Sequence, residues 1–457
     1  MKNIIRWPVL WWLRFWAQLV LKKNRPFIVG VTGSAGKSSA VDAIAPVLKL
    51  KFKNLKVAEK ANSESGIPAD VLGLHFTDYS FFDWLRICLL APIRSLSSII
   101  HHPSSMFDAY LVEMGIDEPT PPKNMEYLLT ILKPDIGVIL NILPVHTEQF
   151  ERSDLVVRQG RTLIESIATE KGKLITENQN LKYAILNADQ PEIISLKPTT
   201  NAKIISFGNK NSDIIIDSVI TSLSGTEINL QIPKRLHLKR CNLSKLKFEN
   251  IVLPDYYGET IAAAVAVGMA LNLPVKTISE ALTGNFKLPS GRGRIFEGIK
   301  NTIIIDSSYN ASGKTMKGSL EMLKNIGGNR IKIAVLGDMR ELGSQAEIEH
   351  KKVAESAIKS ADKIILVGPQ MEQYALPITK KSKIPVEWFA TAGQAKVFLE
   401  GSHPSMPEFL TGGEIILVKG SQNTIFLEIV VEALLINKSD VENLCRRGKF
   451  WKKKRIT

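Results

Sequence analysis

The run Ile28-Val29-Gly30-Val31-Thr32-Gly33-Ser34-Ala35-Gly36-Lys37-Ser38-Ser39 constrains this chain more than any other feature. A short apolar strand enters a glycine-rich turn, the turn ends in Gly-Lys-Ser, and Ala40-Val41-Asp42-Ala43-Ile44 continues as a helix. This is the layout of a phosphate-cradling loop. Glycines let backbone N–H groups approach phosphate oxygens, Lys37 supplies a point charge, Ser38 can ligate Mg²⁺, and the helix N-terminus adds positive potential. The commonest spacing of such loops would put a glycine at Val31. The form here is the compact Thr-Gly-Ser-x-Gly-Lys-Ser.

A chain of 457 residues has room for two or three domains with full cores. Cys88, Cys241 and Cys445 lie far apart without metal spacing, which suits a reducing compartment and argues against a disulfide framework or a zinc ribbon. The net charge of +14 is concentrated at the ends. Residues 1–26 carry six cations (Lys2, Arg6, Arg14, Lys22, Lys23, Arg25) and no acid. Residues 446–457 carry seven (Arg446, Arg447, Lys449, Lys452, Lys453, Lys454, Arg455) and no acid. A nucleic-acid groove needs charge spread through the fold, so nucleic acid is not an expected partner. Basic ends fit an anionic membrane surface better.

Trp7, Trp11, Trp12 and Trp16 crowd the first sixteen residues. From Trp7 to Leu21 the pattern is helical, with Arg14, Gln18 and Lys22 as a polar stripe. Arg6 and Arg14 make a bilayer span over Ile4–Leu21 costly, so the expectation is a helix lying in the membrane interface. The alternative is an amphipathic helix packed on its own protein. Residues 81–100 form a second aromatic-basic stretch, either a core helix or a second membrane-facing surface.

The body alternates strand and helix. Strands are expected at Phe27–Val31, Ala109–Glu113, Ile136–Asn141 and Ala184–Asn187. A small added sheet is expected over Ile204–Pro254, then an alanine-rich helix at Thr260–Leu271. A second alternation begins near Arg294, with strands Thr302–Asp306, Lys332–Leu336, Lys363–Val367 and Ile415–Val418. Its helices are Lys314–Ile326, Ala346–Ser360 and Phe426–Leu435. Repeated strand–helix–strand units mean an α/β protein with doubly wound parallel sheets. The Pro/Gly cluster at Leu288–Arg294 marks the boundary. The domains expected are a basic aromatic helix (1–26), a central nucleotide-binding domain (27–291), a C-terminal Rossmann-like domain (292–440) and a basic tail (441–457).

Glu113 ends an apolar strand. Asn141 ends another, with His146 five residues on. Strand C-termini are where a doubly wound sheet places its ligands, and a carboxylate and an imidazole there could hold a metal beside nucleotide phosphates.

The order of motifs resembles the Mur ligase family, ATP-dependent amide ligases of peptidoglycan precursor assembly, and within it the MurF-type branch that adds D-alanyl-D-alanine. The matching runs are Thr32–Ser38, Asn62–Pro68, Glu113-Met114-Gly115, Asn141 to His146, Leu186–Asp189, Gly291-Arg292, Asp306–Ala311, Val335–Gly343 and Val418–Ser421. The resemblance covers about Phe27 to Leu435. It implies a P-loop-containing central domain, a C-terminal Rossmann-like domain, and ATP and Mg²⁺ as cofactors. In the implied reaction ATP phosphorylates a substrate carboxylate and an amine attacks the acyl phosphate. A UDP-MurNAc-peptide-like carboxylate and a dipeptide or amino-acid amine are the implied substrates. It places nucleotide contacts at Gly33, Ser34, Ala35, Gly36, Lys37, Ser38, Ser39, Asn141, Arg292, Asp306 and Asn310. It places the metals at Ser38, Glu113 and His146, and catalysis at Lys37, Glu113 and His146. The family's carbamylated lysine, a further catalytic and metal residue, falls at Gly160 by straight counting and at Lys171 when a short insertion is allowed. Lys171 is the better match, and its plain alternative is a solvated helix lysine.

Departures from the pattern bear on the substrate. The phosphate loop starts at residue 32, which leaves no room ahead of it for the family's UDP-sugar domain. Gly258 stands where an asparagine near the adenine is expected. Ser307 replaces the second aspartate of Asp-Asp-Ser-Tyr-Asn, and Gln422 an arginine. A cytoplasmic monomer, peripheral on the inner membrane face, is expected. Two other functions stay open: a ligase of the same fold on another carboxylate (polyglutamate-type or lipid-linked), and a non-catalytic nucleotide-binding scaffold.

Overall fold

The structure, a computed structural model, describes residues 3–59, 61–100, 107–144, 147–151, 162–232, 245–401, 409–421, 425–448 and 451. The chain is mixed α/β with two parallel-rich sheets. It divides into two compact units. The first comprises Met1–Asp217, Asn229–Leu246 and Glu259–Phe286, and the second Ser218–Ile228, Lys247–Gly258 and Lys287–Thr457.

In the first unit, β1 (Phe27–Thr32), β2 (Leu55–Val57), β3 (Ala109–Glu113), β4 (Ile136–Ile139), β5 (Tyr183–Asn187) and β6 (Lys203–Gly208) run parallel in the order β2-β3-β1-β4-β5-β6. β1 and β4 are buried almost throughout, as a parallel sheet covered on both faces requires. After β3 the chain crosses to the other side of β1 to form β4, so the order reverses around β1, where a doubly wound sheet opens its ligand crevice. The expected added sheet at Ile204–Pro254 is not separate. β6 pairs with β5, and β7 (Ile214–Ser222), β8 (Gly225–Gln231) and β9 (Leu246–Glu249) continue the same hydrogen-bonded order.

Helix α1 (Asn3–Asn24) buries Leu10, Leu13, Ala17 and Val20 in the core of the first unit. Two of the three residues of its expected polar stripe face protein, and the third, Lys22, is exposed. Arg14 donates to the Thr130 hydroxyl (2.9 Å) and Gln18 to the Thr130 carbonyl, on helix α5 (Met125–Ile131). The indole N–H of Trp12 donates to the Cys88 carbonyl (3.0 Å). Trp7, Trp11 and Phe15 remain exposed. Between α1 and α5 in the chain come α2 (Lys37–Lys49), α3 (Gly66–Val71) and α4 (Phe81–Ile100). Residues 81–100 are therefore one surface helix. Its buried stripe is Asp83, Ile87, Ala91 and Ser95.

The second unit carries β10 (Arg294–Glu297), β11 (Ile303–Ser307), β12 (Lys332–Gly337), β13 (Lys363–Val367), β14 (Val386–Phe389) and β15 (Ile415–Lys419) in the order β10-β11-β15-β12-β13-β14. Only the edge strand β10 is antiparallel. Arg446 and Arg447, expected in a free basic tail, belong to the fold. Arg446 forms two bonds to Glu428 (3.0 and 2.6 Å), and the two side chains are 1% and 0% exposed. Arg447 pairs with Glu432 at 2.8 Å. Residues 449–450 and 452–457 lie outside the described residues.

A buried pair is costly to break from one side, because the remaining charge is left uncompensated. Arg446→Met is expected to destabilise the second unit by about 3–5 kcal/mol, and Arg446→Met/Glu428→Met by clearly less. Urea unfolding of the two variants checks this. Equal losses would mean that the pair's packing, not its charge, is what matters.

Candidate nucleotide and metal site

β1 ends between β3 and β4, with Val31 beside Glu113 and Thr32 beside Ile139. The Thr32 hydroxyl donates to the Met114 carbonyl (2.9 Å), and the Met114 N–H donates to the Val31 carbonyl (2.8 Å). The loop from Gly33 to Gly36 is held from the β4 side. The N–H of Ser34 donates to the Asn141 carbonyl (2.9 Å). The N–H of Ala35 donates to Asn141 Oδ1 (2.8 Å), and Asn141 Nδ2 donates back to the Ala35 carbonyl (3.1 Å). The Ser34 hydroxyl accepts from the Leu143 N–H (2.9 Å) and donates to the Leu143 carbonyl (3.1 Å).

Gly36 has φ 81° and ψ 1°, a left-handed conformation that a side chain would strain, and it caps α2. With no side chain there, the N-terminus of α2 opens onto the loop with its positive potential. Lys37 folds back so that its ammonium donates to the Gly33 carbonyl at 2.8 Å. Ser38 is partly exposed and Ser39 is buried. The Asn141 amide grips the loop backbone and so positions the loop.

Gln190 does the same one step further out. Its Oε1 accepts from the Ile142 N–H (2.6 Å), and its Nε2 donates to the Ile142 carbonyl (3.3 Å). Asn187 Nδ2 donates to the Leu140 carbonyl (2.8 Å). Gln190 was not among the residues expected from the sequence. Its signal was adjacency to the Leu-Asn-Ala-Asp run.

Lys171 lies on the helix Leu163–Thr176, started by a full capping box between Thr162 and Glu165. It is 2% exposed, so it is not a solvated helix lysine. Burial pushes its amine well below the usual lysine range, and the charge of Lys37 adds to this. Asp117 and Glu170 act the other way. Glu170, next in line, has its own carboxyl raised by burial. It accepts from the Met125 N–H at the start of α5 (2.8 Å) and pairs with Lys173 at 2.9 Å. The lysine helix is thereby fixed to α5.

Glu113 is the one partly open residue of β3. His146 lies outside the described residues, as do Gly160, Gln422 and Cys241. Among the described residues no three His, Cys, Asp or Glu side chains gather as a metal site. The donors fit Mg²⁺ nonetheless. That ion keeps several waters and takes one or two carboxylates beside substrate phosphates, which is what Glu113 and Ser38 could offer.

In the second unit, Gly291 (φ 73°) lies so close to Tyr309 that a Cβ would meet it at 2.9 Å. The Arg292 guanidinium lies over the Tyr309 ring, 4.8 Å from its centroid. Asn310 is exposed. Asp306 is fully buried, its carboxyl raised by burial, and Oδ1 accepts from the Ser308 hydroxyl and N–H. Through these bonds Asp306 shapes the turn of this loop. Two basic residues shape the loop without having been expected to. Arg446 donates to the carbonyls of Ser308 (2.7 Å) and Tyr309 (2.8 Å). Lys419 donates to the Asn310 carbonyl (3.1 Å), and burial, with Arg292 adding, brings its amine down to about 7. A lysine closing the otherwise apolar strand Ile415–Lys419 was the available signal.

A family model described as Mur ligase middle domain matches residues 93–253, and one described as Mur ligase, glutamate ligase domain matches residues 291–422. The UDP-N-acetylmuramoyl-tripeptide–D-alanyl-D-alanine ligase of Mycobacterium leprae (strain TN) is 26% identical over 361 residues, covering 75% of this chain and 61% of that protein. The protein of the same name from Escherichia coli (strain K12) is 23% identical over 350 residues, covering 75% and 65%. The chain thus spans somewhat less than two thirds of the length of these curated relatives. Among solved structures, MurF ligase from Thermotoga maritima in complex with ADP superposes with a TM-score of 0.67 at 20% identity, covering 97% of this chain and 84% of that one. Folylpolyglutamate synthase from the same organism superposes with a TM-score of 0.55 at 14% identity, covering 99% and 100%. At these identities the structural likeness is one of fold. The two family models together take in more than half of the chain, and both the loop of the first unit and the Tyr309 loop of the second lie on the strands that the shared fold provides: the chain belongs to the Mur ligase family.

Proposed function

We propose that the chain is an ATP-dependent amide ligase that joins D-alanyl-D-alanine to the carboxylate of a UDP-N-acetylmuramoyl-peptide. The observation that carries this reading is a buried lysine, Lys171, with a suppressed charge, close enough to Lys37 for the loop's cation to act on it. A nucleotide-binding scaffold has no use for such an arrangement, whereas a neutral buried amine can take up CO₂ and become a carbamate, releasing one proton. The names of the curated relatives support the substrates.

The loop N–H groups and Lys37 hold the terminal phosphates of ATP. A substrate carboxylate oxygen attacks the γ-phosphorus, ADP leaves, and an acyl phosphate forms. The amine then attacks the acyl carbon, and the tetrahedral intermediate expels phosphate while the amine loses its proton. Phosphoryl transfer of this kind is mainly positioning and charge stabilisation. Ser38, Glu113, His146 and carbamylated Lys171 would hold Mg²⁺, which when bound neutralises charge on the transferring group. Asn141 positions the loop. Arg292 and Asn310 are the nucleotide contacts of the second unit in this reading. The protein acts as a cytoplasmic monomer, peripheral on the inner face of the membrane.

A ligase acting on a polyglutamate-type carboxylate is the second reading. The full-length correspondence with the folylpolyglutamate synthase fold favours it. ADP release separates the readings. Release that needs both UDP-MurNAc-tripeptide and D-Ala-D-Ala supports the first. Release that needs a glutamyl acceptor and glutamate supports the second. No release with either set overturns both.

A further inference from the structure

Helix α4 turns an apolar side outward. Phe82, Leu85, Leu89, Ile93, Leu96 and Ile100, spaced three or four residues apart, are all exposed, Phe82 at 78% and Ile93 at 62%. The side packed on the protein carries Ile87 and Ala91, flanked by partly buried Trp84 and Leu90, together with polar Asp83 and Ser95, so α4 is apolar on its outer side as well as its inner one. The Ser95 hydroxyl donates to the Trp16 carbonyl (3.1 Å), and buried Asp83 pairs with Arg86 (2.7 Å). A surface helix normally turns a polar side to solvent, and a contiguous exposed apolar face of this size marks a contact surface. α1 runs beside α4 in the same direction, since Trp12 meets Cys88 and Trp16 meets Ser95. It adds exposed Trp7, Trp11 and Phe15, with Trp11 and Phe15 stacked at 5.6 Å.

We propose that α1 and α4 together form a docking face for an anionic lipid surface, with α4 as its apolar keel. Charge complementarity selects this occupant. Neither helix exposes an acid: α1 has none, and Asp83 of α4 is buried and paired. Exposed Lys22 and Lys23 at the end of α1, Arg25 just beyond it and Arg94 on α4 have no ion pair among the described residues. A second copy of the chain would set these cations against their own kind. An anionic bilayer would meet them with opposite charge while its interface took the tryptophans and leucines. Among the described residues no helix is long and apolar enough to cross a membrane, so the contact is one of lying on the surface. The inference rests on the peripheral part of the function proposed above and is independent of the reaction.

Deleting residues 1–24 would strip Leu10, Leu13, Ala17 and Val20 from the core, so loss of binding by that truncation would report unfolding. Leu89→Glu/Ile93→Glu alters only exposed positions. The full chain is mixed with phosphatidylcholine vesicles, with and without phosphatidylglycerol, at low and high salt, and sedimented. Expected is binding that needs phosphatidylglycerol and weakens but persists at high salt, with affinity reduced about tenfold or more in the double variant. Unchanged thermal unfolding of the variant shows that the fold is kept. Failure of the wild-type chain to bind phosphatidylglycerol vesicles at low salt overturns the proposal, as does equal binding by the variant. A wild-type dimer that the variant abolishes, with no vesicle binding, assigns the face to a second copy and also overturns it. ADP release, measured separately without lipid, keeps the outcome for the reaction distinct.

Discussion

Lys37→Ala is expected to lower ATP-dependent turnover by about a thousandfold or more, because in the proposed reaction it removes a loop cation that would stabilise the transferring phosphoryl group. The fold should survive. Lys37 is partly exposed at the start of α2, and its ammonium donates to a loop carbonyl, that of Gly33, at 2.8 Å. Losing such a contact costs about 1 kcal/mol or less. ADP release and thermal unfolding measured together separate the two effects. Wild-type-like turnover by Lys37→Ala would remove the loop from the mechanism. A collapsed melting temperature would mean that the lysine supports the loop as well as the ligand, and Lys37→Met would then be needed to isolate the charge.

Lys171→Ala carries the second large effect, a fall in activity of about a hundredfold or more, since a charged group acting in a water-poor site is lost. Short carboxylic acids such as acetate should restore part of it, because the shortened side chain leaves space at a site where a carbamate would stand. Lys171→Met, which fills the space, should be as inactive and should not respond to acetate. The wild-type protein should lose activity when CO₂ is stripped from the buffer and regain it with bicarbonate. The suppressed charge on the amine makes this work near neutral pH: an ammonium cannot attack CO₂, and a lysine at its ordinary value is almost wholly ammonium there. Full activity of Lys171→Met would return Lys171 to a packing role.

The phosphate loop was legible because a strand, two glycines and a lysine must sit in order for the chain to turn there at all. The burial of Lys171 was not legible locally, since a lone lysine in Ile-Ala-Thr-Glu-Lys-Gly-Lys gives no sign of it. The expected strand Ile136–Asn141 ran two residues too far. Leu140 and Asn141 look β-like locally, but Asn141 leaves the ladder to hold Ala35 across the loop. The short edge strands Leu55–Val57 and Val386–Phe389 escaped notice because their residues are only partly buried and carry no long apolar run. Arg446 looked like one cation of a basic tail. Its partner Glu428 lies eighteen residues earlier on an apolar helix, a pairing visible only once both are folded. α1 and α4 were ambiguous for a related reason: a helix apolar around most of its circumference does not say which side faces inward. Single polar contacts settle it, at Thr130 for α1 and at Trp16 for α4.

Helix α5 has only seven residues, yet it is fastened at both ends. Glu170, beside Lys171, holds its first N–H, and Arg14 and Gln18 of α1 hold Thr130 near its last turn. It works as a strut between α1 and the helix of the buried lysine. If α1 seats on a bilayer as proposed, this helix is one route by which strain on α1 reaches Glu170, the residue next to Lys171. Thermodynamic reciprocity then ties the two events together: if lipid contact alters the affinity for nucleotide by some factor, nucleotide alters the affinity for lipid by the same one. An enzyme wired in this way would sense, through its grip on ATP, whether it is seated on the membrane.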